Sequence, residues 1–239
     1  MSSGIIIREV TKDIWTFSRP FARYGVFPVG GRSTAIKLSD GDVWVLASTP
    51  LCDQTKAKLG ELGNVKYIIG ADLVHNLYLG QFQKAYPDAK LIAPEGVMDR
   101  IDENLRFDGL LGRDPPDAWY GFENDIKYCY FSGFSNRDAA FFHPASKTMV
   151  QADLLFNLPA KEQYSKTWSP NPFKFLPLNP YSSAHRKFVN SHHDHEENMR
   201  RDAKTVASWD FDRVIPCHGD VIETGGNAAW RAAYQDFLN

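Results

Sequence analysis

Three short segments of this chain each run from an apolar stretch into a residue able to bind a metal ion: YIIGADLVH (67–75), MVQADLLF (149–156) and RVIPCHGD (213–220). They place His75, Asp153 and His218 at or just beyond the ends of predicted strands, where a rigid scaffold can hold side chains in a fixed constellation. Two imidazoles and a carboxylate form a donor set that suits zinc, iron or manganese. Each residue also has a plainer reading. His75 can be a satisfied buried histidine, Asp153 a turn-former ahead of Leu154, and His218 with Gly219 a corner between strand and loop. A second group, Ser191-His192-His193-Asp194-His195, is richer in ligands but falls within a predicted helix. There Phe188, His192, His195, Met199 and Val206 share one face. His192 and His195 are therefore expected to point toward the core and His193 and Asp194 away from it, in a partly buried polar face rather than a metal site.

The elements that must carry these residues alternate in type. Ile14 to Phe17, Thr34 to Leu38 and Asp42 to Ala47 read as strands, with Ser39-Asp40-Gly41 as a turn. Asp53 can cap a helix that Gly63 stops after Leu62. Val65 to Ile69 is a buried strand, Asn76 is placed to cap a helix to Tyr86, and Lys90 to Ala93 is the next strand. This rhythm implies parallel pairing with helices laid on the sheet. Asp102 to Asp125 reads as irregular. Ile126 to Tyr130, Ala139 to Phe142 and Thr148 to Ala152 follow as strands, with a solvated His143 expected in the hairpin loop 143–147. Asn157 to Tyr181, with its prolines and aromatics, reads as a folded excursion. A helix is expected from about Arg186 to Ser208, a strand over Arg213 to Pro216, and a last helix from Asn227. In that last helix Trp230, Tyr234 and Phe237 recur at helical spacing. Two such halves with helices outside predict a four-layer αββα sandwich.

Length and composition bound the rest. With 239 residues, 43% hydrophobic and 13% aromatic, one domain spanning the chain is the expectation. Twenty-seven basic and 29 acidic residues nearly cancel, and no run of either sign marks a nucleic-acid footprint. The segment MSSGIIIREV does not read as a signal peptide, and no apolar window is long enough for a membrane span. Cys52, Cys129 and Cys217 are scattered and odd in number, which gives no disulfide framework. A cytoplasmic protein acting on a small molecule, without nucleic-acid or membrane partners, is the expectation.

The order of these residues and their surroundings resembles the metallo-β-lactamase superfamily over nearly the whole chain, from Ile14 to Leu238. The hairpin into Ala152-Asp153-Leu154-Leu155-Phe156 and the segment WDFDRVIPCHGD carry the likeness most strongly, and ADLVHNLYLGQF and YPDAKLIAPEG are similar to an uncharacterised branch of it. The superfamily's hallmark is His-x-His-x-Asp-His, then a Gly-His, a Gly-Asp at a strand end and a Gly-His-Gly near the C-terminus. Set on that pattern, His75 takes the last histidine of the first motif. Gly70, Asp72 and Val74 then take its other ligand positions, and Gly133-Phe134 takes the Gly-His. Ala152-Asp153 matches the Gly-Asp, and Cys217-His218-Gly219 the final motif. The resemblance implies an αββα metallo-β-lactamase fold whose usual second metal position has lost its donors. One divalent ion is then expected on His75, Asp153 and His218, zinc first and manganese or iron next. Asp72 is either a fourth ligand, closing the shell as in structural sites, or a general base; it can also merely cap the turn before Asn76. Three protein ligands with an open position would lower the pKa of a bound water to about 7. The expected function is hydrolysis of a small ester, lactone or phosphoester by a single metal-activated water. The alternative is a non-catalytic metal-binding protein that keeps the scaffold for ligand binding. Trp119, Tyr120, Tyr164 and Trp168 are candidates for the apolar walls of a pocket.

Overall fold

A computed structural model describes residues 4–101, 104–167 and 178–239. The chain opens with strands β1 (Ile6–Thr11) and β2 (Ile14–Arg19), a short hairpin of β3 (Ala22–Arg23) and β4 (Phe27–Pro28), then β5 (Gly31–Lys37) and β6 (Val43–Leu46). Helix α1 (Asp53–Leu62), β7 (Val65–Ile69), α2 (Leu79–Ala85), β8 (Lys90–Pro94) and β9 (Gly109–Leu111) follow. The second half runs β10 (Lys127–Tyr130), β11 (Ala139–His143), β12 (Thr148–Gln151), α3 (Ser183–Ser191), α4 (Glu196–Ala207), β13 (Arg213–Pro216), α5 (Gly226–Ala233) and α6 (Gln235–Leu238).

Seven strands form one sheet in the order β1-β2-β5-β6-β7-β8-β9, and four form another in the order β10-β11-β12-β13. The first sheet turns parallel from β6 onward, where α1 and α2 serve as crossovers, and β12 pairs parallel with β13. Strand β6 shows why the sheets stack. Trp44 and Leu46 join Tyr67, Ile69, Phe141, Val150 and Ile215 in the layer between the sheets. Val43 and Val45, on the opposite face, pack with Leu59, Leu79 and Phe82 beneath the first pair of helices. A strand buried on both faces needs apolar residues at every position, so VWVL does not alternate. On the other side Phe142, Met149 and Val214 meet Val189, Met199, Trp230 and Tyr234. The result is the αββα sandwich expected from the sequence. Among the described residues no helix is long and apolar enough to cross a membrane.

Several local expectations are corrected. The helix expected from Asn76 starts at Leu79, and the Asn76 amide instead donates to the Leu73 carbonyl at 2.9 Å. The long helix expected over 186–208 is two helices broken at 192–195. The loop before β11 takes the backbone groups a continuous helix would have used. Ser135 N donates to His192 O, Asp194 N donates to Gly133 O, and Arg137 forks onto the Asp194 carboxylate at 2.8 and 3.0 Å. His143 is buried at the end of β11 against Ser146 Oγ, not solvated. The stretch read as irregular contains β9, and Asp102 and Glu103 lie outside the described residues, as do 168–177 of the proline-rich excursion.

Candidate metal centre

His75, Asp153 and His218 come together. One donor atom from each lies within 4.8 Å of the others, although the residues follow three different strands. The pairing of β12 with β13 sets Gln151 beside Pro216, so the residues just beyond, Asp153 and His218, emerge as neighbours. His75 arrives from the loop after β7 in the other sheet. The convergence sits beyond the carboxyl ends of parallel strands, where open α/β sheets place their ligands.

Each side chain is oriented from behind. His218 Nδ1 donates to Gly30 O at 2.6 Å, and its ring lies between Phe156 (5.4 Å, 8°) and Phe21 (6.0 Å, 20°). Gly219 follows at φ +91°, and a Cβ there would strike the Asn157 backbone, so glycine is required. Asp153 takes Asn136 Nδ2 on Oδ2 at 2.8 Å, while the buried Asp153 Oδ1 has no hydrogen-bond donor. Asp138, buried beneath, accepts Asp153 N at 2.5 Å and Leu154 N at 3.1 Å and so fixes the loop that carries Asp153.

Asp72, expected as a fourth ligand or a base, stands behind His75 and outside the cluster of three donors. Both its oxygens lie 2.9 Å from His75 Nδ1, and Oδ1 also accepts Val74 N and His75 N. The carboxylate stands behind the imidazole and turns Nε2 toward the centre, as acidic partners of metal-binding histidines do. Its second role, as cap of the turn, is met by the same two backbone bonds.

The donor chemistry at the centre is unbalanced without a cation. His218 Nδ1–H is spent on a carbonyl, so the neutral ring presents a lone pair at Nε2. His75 Nδ1–H is spent on a carboxylate, so its neutral ring does the same. The two Nε2 atoms are 3.1 Å apart, and Asp153 Oδ1 is 3.4 Å from that of His218. Burial disfavours a charged His75, but Asp72 and Asp153 outweigh it and raise its pKa to about 10. Burial, with the neighbouring His75 charge, pushes His218 down to about 3, and burial raises Asp153 to about 6. A proton on His75 Nε2 or a metal ion would relieve the facing lone pairs, and an ion would also engage the orphaned Asp153 oxygen. The residues fit a divalent cation.

The positions where the resemblance places a second ion's donors are filled otherwise. Phe134 is fully buried and packs edge-on against Phe188. At Gly70 a Cβ would press on Leu79 and Ala93, so no larger side chain fits there unless they move. The Ser191–His195 group does not gather round an ion. His192 closes α3, with Nδ1 on Phe188 O, and lines a cavity beside the centre. His193 rests on Phe237, and His195 is exposed ahead of α4, the reverse of the facing expected for a continuous helix.

Of the residues expected to wall the site, three lie elsewhere. Trp119 is exposed, and with Tyr120 it lines a separate cavity beside Tyr128. Tyr164 stands one layer back, its hydroxyl donating to Phe21 O at 2.7 Å, and Trp168 lies outside the described residues. The opening is instead bordered by the hairpin residues Phe21, Arg23 and Tyr24 together with Arg19. FARYGVFP, two turn-forming residues among aromatics and an arginine, was the available signal; Asn136 and Asp138, polar residues just ahead of an apolar strand, were another.

The sequence profile of a domain of unknown function, DUF4336, matches residues 11–201. The chain belongs to the DUF4336 family. No curated protein sequence matches it. Solved structures do, metallo-β-lactamases among them. The DIM-1 enzyme is 14% identical with a TM-score of 0.61, covering 97% of this chain and 95% of its own. An enzyme from Pontibacter korlensis is 13% identical at 0.60, covering 98% and 99%. FIM-1 from Pseudomonas aeruginosa, solved in a mono-zinc form, is 9% identical at 0.61, covering 98% and 97%. This DUF4336 chain has the metallo-β-lactamase fold.

Proposed function

We propose that the protein is a hydrolase of a small ester, lactone or phosphoester, dependent on one divalent ion held by His75, Asp153 and His218. The observation that carries this reading is that Asp72 is turned away. Three protein donors remain, and His75 and His218 border a cavity of about 330 Å³ that opens outward, the arrangement of catalytic rather than structural sites. Two imidazole nitrogens and one carboxylate oxygen favour zinc over harder ions, and one of the similar structures was solved with a single zinc. When bound, the ion supplies Lewis acidity toward a carbonyl or phosphoryl oxygen and toward water. The protein's own groups hold the donors: Asp72 and Gly30 O fix the two imidazoles, while Asn136 and Asp138 fix Asp153. In the reaction a water oxygen adds to the acyl carbon or phosphorus, the bond to the leaving oxygen breaks, and that oxygen takes a proton.

The test is elemental analysis of purified protein, followed by aryl esters, lactones and phosphodiesters assayed with zinc, manganese and iron. One ion per chain and metal-dependent turnover are expected, both lost in His218→Ala and both kept in His193→Ala. Two tightly bound ions, or metal loss in the His193 variant instead, would overturn the site. No turnover across the panel, with an ion held by four protein groups, would identify a non-catalytic metal-binding protein.

A further inference from the structure

Two cavities flank the centre, and their linings differ in chemistry. The first, of about 330 Å³, runs over His75 and His218 and is bordered by Arg19 at the end of β2 and Arg23 on β3. The second, of about 480 Å³, runs over Asp153 and His218 and is bordered by Phe27, Val29, Leu158, Leu178 and Phe188. His218, Arg23 and Tyr24 line both, so the β3–β4 hairpin divides one cleft into two arms above the metal donors.

The cations of the first arm are not spent within the protein. Among the described residues neither Arg19 nor Arg23 forms a salt bridge with a carboxylate; the Arg23 guanidinium lies 5.4 Å from the Tyr24 ring centroid, and its charge also acts on Asp153. Other arginines of this chain are committed: Arg32 to Glu162, Arg137 to Asp194, Arg200 to Glu196 and Arg213 to Glu223. Two guanidinium groups at the mouth of a pocket, with no internal salt bridge, favour an anionic ligand by charge and by their planar donor geometry. The second arm offers aliphatic and aromatic surface continuous with Phe156, which stacks on His218, and would shed water for an apolar group.

We propose that the substrate is amphipathic, with an anionic group held by Arg19 and Arg23 in one arm and an apolar acyl or aryl group in the other. The bond between them lies over His218. That placement of the reacting bond rests on the hydrolase reading, while the two-armed binding does not.

The test therefore measures binding without turnover, on the full chain as purified. The probes are 4-phenylbutane-1-sulfonate, 4-phenylbutan-1-ol and methanesulfonate; sulfonates are chosen because they are poor ligands for divalent ions. Calorimetry should show the full sulfonate binding at least tenfold tighter than either fragment. Arg19→Gln with Arg23→Gln should weaken the full sulfonate about tenfold and change the alcohol less than twofold. Leu178→Trp, which fills the apolar arm, should weaken the sulfonate and the alcohol alike. If its melting profile shows misfolding, Phe27→Ala on the exposed hairpin decides the same point by a several-fold loss. Equal affinity for sulfonate and alcohol, or a double arginine variant that binds like the parent, would overturn the proposal. The expected binding pattern without hydrolysis would overturn only the hydrolase reading, and hydrolysis of small neutral esters without sulfonate preference only this one.

Discussion

The Nε2 atoms of His75 and His218 face each other at 3.1 Å, and what lies between them governs the response to pH. In the metal-free protein His75 keeps its proton up to a pKa of about 10, against an ordinary histidine value of 6.5. A folded-state value above the unfolded one stabilises the fold fully below about 6.5, and that contribution is lost as pH rises through about 10. An ion must displace this proton. Apparent metal affinity should therefore rise about tenfold per pH unit between 7 and 9, read by competition with a chromophoric chelator; a flat profile would show that His75 is already neutral. Asp72→Asn tests the carboxylate behind it. A neutral amide still reaches His75 Nδ1 but holds the imidazole less well, so affinity should fall about 10- to 100-fold without being abolished. Were Asp72 the base, affinity would hold and only turnover would drop, by about 10²–10⁴-fold.

At the scale of elements, the central strands were legible, while the edge strands β1 and β9, the β3–β4 hairpin and the ends of helices were not. The apolar runs that became β6, β7, β12 and β13 are short, β-branched and bounded by turn residues, so local chemistry marks them. The break between α3 and α4 carries no proline or glycine. It exists because the 133–137 loop bonds to His192, Asp194 and their neighbours, a competition no local window contains. The same loop holds Phe134 at the position where the resemblance expects a histidine. Phe134→His should add no second ion in metal analysis, since glycine at position 70 supplies no donor and a Cβ there would press on Leu79 and Ala93. Replacing a fully buried ring by a partly unsatisfied imidazole should cost about 2–4 kcal/mol, measurable by urea unfolding. A second equivalent of metal in this variant would reveal donors elsewhere, His192 first among them.

For the whole molecule, the decisive feature is the seam between the sheets. His75 comes from the seven-stranded sheet, Asp153 and His218 from the four-stranded one, so an ion there would tie the halves together. Arg32 already does so. Fully buried on β5, it donates to Pro216 O and Gly219 O at 2.7 Å each, to Ser18 Oγ at 3.0 Å, and meets Glu162 at 3.4 Å. Arg32→Met would leave these acceptors unpaired next to His218. It should cost about 3–5 kcal/mol, a fall in melting temperature of roughly 10 °C for a chain of this size. It should also weaken metal binding through the displaced 216–219 loop. A variant that melts like the parent would show the seam to be held by apolar packing alone.

The sequence by itself marked the layers and, through the resemblance of its motifs, three residues that the fold brings within reach of one another. Apolar periodicity marks a strand wherever it occurs, and a ligand at a strand's end stays there however the strand is packed. His75, Asp153 and His218 could be named for that reason. Which way Asp72 faces depends on a rotamer set by three donors it meets only in the folded turn. The parts played by Gly30, Asn136 and Asp138 depend on contacts across 15 to 188 positions of sequence. The walls of the cleft come from a hairpin that pairs with neither large sheet, so no strand pattern points to it. Tertiary structure decided these because hydrogen bonds and charges act through space, between groups that only the closed sandwich brings within reach.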